Sequence, residues 1–148
     1  MKEDKYKYVK IPEEFYYEFF SEGPKGKIKK LVRYKLISAS PDHIFNLSFG
    51  DWNEKTFDAD DSITTNNKDR QKVLATVADT VFDFTQLHPE AFIFVQGSTP
   101  SRTRLYQMGI SAFWEEIGGL FRVIGYVNGD WKPFRKGINY HAFLIKRK

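Results

Sequence analysis

The sequence predicts an α+β domain in which a mixed, mainly antiparallel sheet carries two long helices, and three observations lead to it. Phe and Tyr alternate along several strand-like segments of a chain that is 17% aromatic, a pattern that suits the pleated surface of a sheet first and base stacking second. Val73, Val77, Val81 and Phe84 recur every three to four residues, the period of an amphipathic helix. Ala91-Phe92-Ile93-Phe94-Val95 shows no polar alternation, so it reads as a strand buried on both faces in the middle of a sheet.

The chain of 148 residues fits a single domain, 1–148, large enough to bury a core without disulfides or metal. It has no cysteine, which excludes a disulfide framework and thiolate chemistry and suits a reducing compartment. No apolar run approaches the roughly 20 residues that a bilayer requires. The expectation is a soluble, cytoplasmic protein with no membrane partner. A net charge of +4 permits an acidic partner such as nucleic acid or a phosphorylated small molecule, although many ordinary domains share it.

Taken in order, residues 1–12 are Lys-rich and are expected to form a tail or a short edge strand. Two β-rich runs, from Glu13 and from Ile28, flank a turn with two glycines and a proline and make a hairpin. On its second strand Val32, Tyr34 and Leu36 alternate with Arg33 and Lys35, so one face packs inward and the other is basic. A third strand follows Ser40-Pro41-Asp42, with Phe45, Leu47 and Phe49 on one face and Gly50-Asp51 closing it. A long polar loop from Trp52 to Asn67 contains Asp58, Asp60 and Asp61, but without the spacing and glycine of a calcium loop.

The first helix is expected over 67–88, capped by Asn66 or Asn67, with Asp69, Asp79 and Asp83 on its polar side and Pro89 forbidding its continuation. The strand at 91–95 follows. A second helix starts behind Gly97-Ser98-Thr99, with Thr99 as its cap and Pro100 at its first position. Gly109 is a candidate kink, and Gly118-Gly119 the end of the helical run. The chain closes with strands at 121–127 and 140–145, the Asn128-Gly129 pair marking a hairpin. The third and fourth strands flank the first helix, so their crossover is expected to be parallel.

Most catalytic constellations are missing. His43, His88 and His141 have no metal-binding spacing, so no metal site is expected, and there is no nucleophile elbow, Walker loop or dinucleotide fingerprint. What remains is an anion site. A helix start exposes backbone N–H groups and partial positive charge, and Arg102 and Arg104 add two full charges there. Gly97, Ser98, Thr99, Arg102 and Arg104 are therefore the candidate ligand-binding residues. Arg102 and Tyr106, four apart, share a helix face.

The order of elements resembles the general N-acetyltransferase superfamily, in which three antiparallel strands are followed by a helix, a strand, a helix and a closing pair of strands. Thr99-Pro-Ser-Arg-Thr-Arg-Leu-Tyr106-Gln-Met-Gly109-Ile110 resembles that family's Asn-x-x-Ala-x-x-Leu-Tyr-x-x-x-Gly-Phe pattern. The resemblance implies acyl-coenzyme A as cofactor and Tyr106 as the catalytic acid that protonates the departing thiolate. The family's glycine-rich pyrophosphate turn is replaced by Asn66-Asn67-Lys68-Asp69-Arg70-Gln71. The segment from Gly97 to Tyr106 is also similar to one in small bacterial proteins of an uncharacterised family.

A non-enzymatic reading stands beside this one. Lys25, Lys27, Lys29 and Lys30 on the hairpin, interleaved with aromatic residues, suit a nucleic-acid-binding or protein-interaction module; lysines there also serve solubility and keep an edge from aggregating. The loop Trp131-Lys-Pro-Phe-Arg-Lys136 has the same composition.

Overall fold

The hairpin around Gly23 and Gly26 is the longest feature of the sheet. In the computed structural model, which describes residues 4–53, 58–60 and 67–148, β2 (Tyr16–Gly23) and β3 (Gly26–Ser38) pair from Tyr16↔Arg33 to Gly23↔Gly26. Gly26 takes a φ of +85° to close this tight turn. β1 (Val9–Ile11) adds to the outer edge of β2, and β4 (Ile44–Asn53) to the inner edge of β3, both antiparallel.

Helix α1 (Arg70–Leu87) then crosses over to β6 (Phe92–Val95), which lies parallel to β4 from Ile44↔Phe92 to Leu47↔Val95. After α2 (Pro100–Ala112) and α3 (Trp114–Leu120) come β7 (Phe121–Val127), β8 (Asp130–Pro133) and β9 (Ala142–Arg147). The sheet runs β1-β2-β3-β4-β6-β9-β7-β8, with β5 (Asp58–Asp60) paired to the end of β4.

Several boundaries differ from the sequence reading. β5 lies inside the expected loop from Trp52, and Trp52 and Asn53 continue β4; Asp61 and Asn66 fall outside the described residues. α2 continues through the buried Gly109 and breaks at Phe113, while Gly118 and Gly119 lie within α3. Asn128 and Gly129 do make a positive-φ hairpin turn, but it leads into β8, a fully exposed edge strand. The apolar run that becomes β9 inserts between β6 and β7 instead, because Phe143 and Ile145 need cover from both sides. Leu36, expected inward, is 45% exposed.

Burial is mostly on one side, Leu31 and Ala142 being buried on the other. Tyr17, Phe19, Val32, Tyr34, Phe45, Leu47, Phe49, Ile93, Val95, Phe143 and Ile145 form the core on one face of the sheet. All three helices pack there: Phe84 of α1 stacks on Tyr34, Tyr106 of α2 meets Phe49, and Ile117 of α3 shares a small apolar cavity with Leu47, Val95 and Ile145. β6 is correspondingly buried on one face only, with Phe92 and Phe94 partly exposed on the other, where burial on both faces was expected.

A polar seam fixes α1 on the sheet. The hydroxyls of Tyr6, Tyr8 and Tyr17 donate to Asp69, Asp79 and Asp83 at 2.6, 2.8 and 2.7 Å. Tyr34 shares a hydrogen bond of 2.8 Å with Thr80, and the Tyr6 N–H donates to Thr76. The helix face expected to meet water therefore meets tyrosines. Asn67, expected as a cap, is buried: its side chain accepts from the Lys25 N–H at 2.7 Å and donates to the Gly26 carbonyl at 2.9 Å and to Ser21. Asp69 occupies the cap position without capping, its carboxylate holding Tyr6 and Ser21. Gly23 lets Asn67 approach, since a Cβ there would collide with the Asn67 carbonyl.

Asn67→Ala leaves these turn groups without their buried partner, and we expect a loss of about 2–3 kcal/mol in urea unfolding at an unchanged m-value. A second expectation concerns alkaline pH. Burial, reinforced by the hydrogen bond to Asp83, pushes the Tyr17 hydroxyl far above its usual value, and burial does the same for Tyr34 despite its hydrogen bond with Thr80. The unfolded chain releases these protons above about pH 10 and the folded chain keeps them, so their contribution is complete below pH 10. Unfolding free energy should fall above that point, by up to about 1.4 kcal/mol per pH unit for each tyrosine, and Tyr17→Phe should flatten the fall.

Candidate functional site

The start of α2 satisfies most of its own backbone. The Thr99 hydroxyl accepts from the Arg102 N–H at 3.2 Å, the Thr99 carbonyl accepts from the Thr103 N–H at 3.0 Å, and the Gly97 N–H donates to the Thr103 hydroxyl at 3.0 Å. Pro100 has no N–H to offer. Gly97 lies so close to Arg102 and Thr103 that a Cβ would overlap both. The corner expected to receive an anion is thus filled by the first turn of the helix. Gly97, Ser98 and Thr99, with Arg104 and Gln107, border a recess of about 450 Å³ against Tyr140 and His141.

Arg102 points to the opposite side. Its Nη2 donates to the Phe49 carbonyl at 2.9 Å, and its guanidinium lies 5.6 Å from the centre of the Phe49 ring. The reason is the unequal length of two strands: β6 ends at Val95 while β4 runs on to Asn53. Between Leu47, the last residue paired with β6, and Asp51, where β5 begins to pair, no described strand lies along that edge of β4, and the guanidinium bonds within this gap in the ladder.

The parted strands open into a cleft of about 580 Å³ between the first turns of α1 and α2. Phe49, Val73 and Leu74 line it with apolar surface, and Lys30, Arg70, Arg102, Arg104 and Asp69 supply the charge. Lys30 is buried and ion-paired with Asp51, and Asp69 is engaged by Tyr6 and Ser21. With Lys30 matched by Asp51, the charged lining among the described residues is otherwise three arginines and one carboxylate.

Of the residues expected at the site, Arg102 and Arg104 line this cleft, whereas Gly97, Ser98 and Thr99 lie in the other recess. Tyr106 is 6% exposed, sets its ring edge-on to Phe49 at 6.5 Å, and lines the apolar cavity rather than the cleft. Arg102 and Tyr106, expected on one helix face, do converge, on Phe49. Arg70 was not among the candidates. The signal for it lay in Asn67-Lys68-Asp69-Arg70, which opens a helix after a strand just as Thr99-Pro100 does.

The hairpin lysines are mostly matched by carboxylates. Lys27 pairs with Glu22 at 3.7 Å, and Lys29 with Glu18 at 3.2 Å while lying over the Trp52 ring. Lys30 is turned inward, and the Lys25 backbone belongs to the Asn67 turn. His88 packs among Phe15, Phe45 and Phe84. Among the described residues, no helix is long and apolar enough to cross a membrane.

Sheet, helices and cleft together define an α+β protein with a mixed, mainly antiparallel open sheet, three helices on one face, and a cation-lined opening where its only parallel strand pair among the described residues separates. The chain belongs to a family of unknown function (DUF6934), whose sequence model matches residues 2–148. No curated protein and no solved structure matches it.

Removing Lys30 from the cleft wall would take away the buried counter-charge of the Asp51 carboxylate. Lys30→Met is expected to cost about 3 kcal/mol in chemical denaturation, and Lys30→Met combined with Asp51→Leu to recover most of it.

Proposed function

We propose that this chain is an acetyltransferase-like domain that binds a phosphorylated ligand, acyl-coenzyme A foremost, in the cleft between the first turns of α1 and α2. One observation carries the reading: the parallel pair β4 and β6 separates past Leu47 and Val95, and the opening is lined by Arg70, Arg102 and Arg104. Guanidinium groups match phosphate geometry in a bidentate manner and keep their charge at every physiological pH. Two helix N-termini at the same opening add partial positive charge.

The order of elements supports the resemblance as well. Three antiparallel strands, a crossover helix, a parallel strand, further helix and a closing pair are all present, with β9 inserted beside β6. Asp69 departs from the expected pyrophosphate turn, but its carboxylate is occupied by the Tyr6 and Ser21 hydroxyls rather than aimed at the opening alone. The proposal is for binding. Tyr106 lines the apolar cavity behind Phe49, so the acid role that the resemblance gives it has no support from its position.

Calorimetric titration with acetyl-coenzyme A tests the reading. Saturable binding should weaken at least about 10-fold in Arg70→Ala and in Arg104→Ala, the worth of a hydrogen bond to a charged group, and be unchanged in Lys27→Ala. Heat that never saturates, or equal affinity in all three variants, would remove the basis for the proposal.

A further inference from the structure

The face of the sheet opposite the helices has an arrangement of its own. Strand register places Lys35, Asn46, Phe94, Leu144, Ile124 and Pro133 in one row across six strands. The neighbouring row on one side has Tyr126 opposite Trp131, and that on the other has Phe92, Lys146 and Arg122. The rings are grouped: Trp131 lies 5.2 Å from Tyr126 and 6.5 Å from Phe94. All stay partly open to solvent, Trp131 at 38%. Lys146 sits 5.3 Å above the Phe92 ring, and Lys35 and Arg122 are exposed. No described residue that β4, β6, β7, β8 or β9 directs to this side is acidic.

We propose that this helix-free face binds single-stranded nucleic acid, with Phe94, Tyr126 and Trp131 as the stacking platform for bases and Lys35, Arg122 and Lys146 as contacts for the phosphates. Partly exposed rings, set at 58° and 69° to one another, offer aromatic faces to bases irrespective of sequence, and cations beside strands that direct no described carboxylate to this side fit a polyanion. The row from Lys35 to Pro133 spans about 24 Å, at about 4.8 Å per strand, long enough for an extended strand to lie across it. Charge decides against a second copy of the chain, which would set Lys35, Arg122 and Lys146 against their own like. The site is separate from the cleft, on the other side of the sheet, and from the hairpin tip, where Glu22 and Glu18 neutralise Lys27 and Lys29.

Fluorescence anisotropy with labelled single strands of about 12 nucleotides, as RNA and as DNA, tests it on the full chain. Saturable binding is expected to weaken about 5- to 100-fold in Trp131→Ala, the range for one lost stacking partner. The Lys35→Glu/Arg122→Glu double variant should bind more weakly and lower the slope of log K against log salt by about 1.4, or about 0.7 for each lost phosphate contact. Both variants change exposed side chains, and an unchanged melting temperature confirms that the fold persists. Lys27→Ala should bind as the parent does. The proposal is overturned if neither RNA nor DNA binds at low salt, if the face variants bind like the parent, or if only Lys27→Ala loses affinity. It is equally overturned if phosphatidylserine vesicles, but not oligonucleotides, bind in a Trp131-dependent way, or if Trp131→Ala converts a dimer to monomer.

Discussion

Tyrosine hydroxyls meeting the polar side of α1 are the contacts on which the remaining architecture rests. A helix that turns Asp69, Thr76, Asp79, Thr80 and Asp83 toward its own protein needs a donor or acceptor for each, because an unpaired polar group is costly once water is excluded. Tyr is suited to this, with a ring that packs and a tip that bonds. Tyr34 stacks on Phe84 at 4.2 Å while its hydroxyl meets Thr80, and Tyr17 reaches Asp83 from the next strand, where Lys10 also binds that carboxylate. Such contacts have direction, so they set the rotation and register of α1 where a wholly apolar interface would tolerate sliding.

With α1 fixed, its first turn is fixed too, and Asn67 and Asp69 tie that turn to the β2–β3 hairpin. The cleft follows from this anchoring and from the shortness of β6. Had β6 continued alongside β4, the ladder would have closed the gap; instead Arg102 bonds to the Phe49 carbonyl at the point of separation. The side chain that caps the broken ladder is also one of the cations lining the opening.

Among the described residues, no helix covers the other side of the sheet. Three helices pack on one face, and Tyr6 and Tyr8 lie against α1 on that same side. The chain's basic residues consequently occupy distinct surroundings. Those on the hairpin are met by Glu18, Glu22 and Asp51; the arginines gather at the cleft; Lys35, Arg122 and Lys146 lie beside strands β4, β6, β7, β8 and β9, which direct no described carboxylate to that side. Net charge describes none of this, since it sums over groups with different partners.

The periodicity of apolar residues was enough to recognise the α+β class, the first hairpin, the parallel crossover, the helix ending before Pro89, and Thr99 as a cap, because each depends on neighbours within a few positions in the chain. Arg102 and Arg104 were legible as candidates for the same reason. Local signals failed where distant groups compete for one residue. Asn67 is a good cap in isolation, but the turn at Lys25 and Gly26 claims it; Asn-Gly announces a hairpin but not which strand it joins; five apolar residues at 91–95 announce a strand but not whether one face or two will be covered. Amino-acid order by itself determined which segments are strands and helices and which carry charge. Only the tertiary structure decided which cations are neutralised, where the strands part and which face stays open, since each of these is settled by what the folded chain brings from far away in sequence to lie alongside.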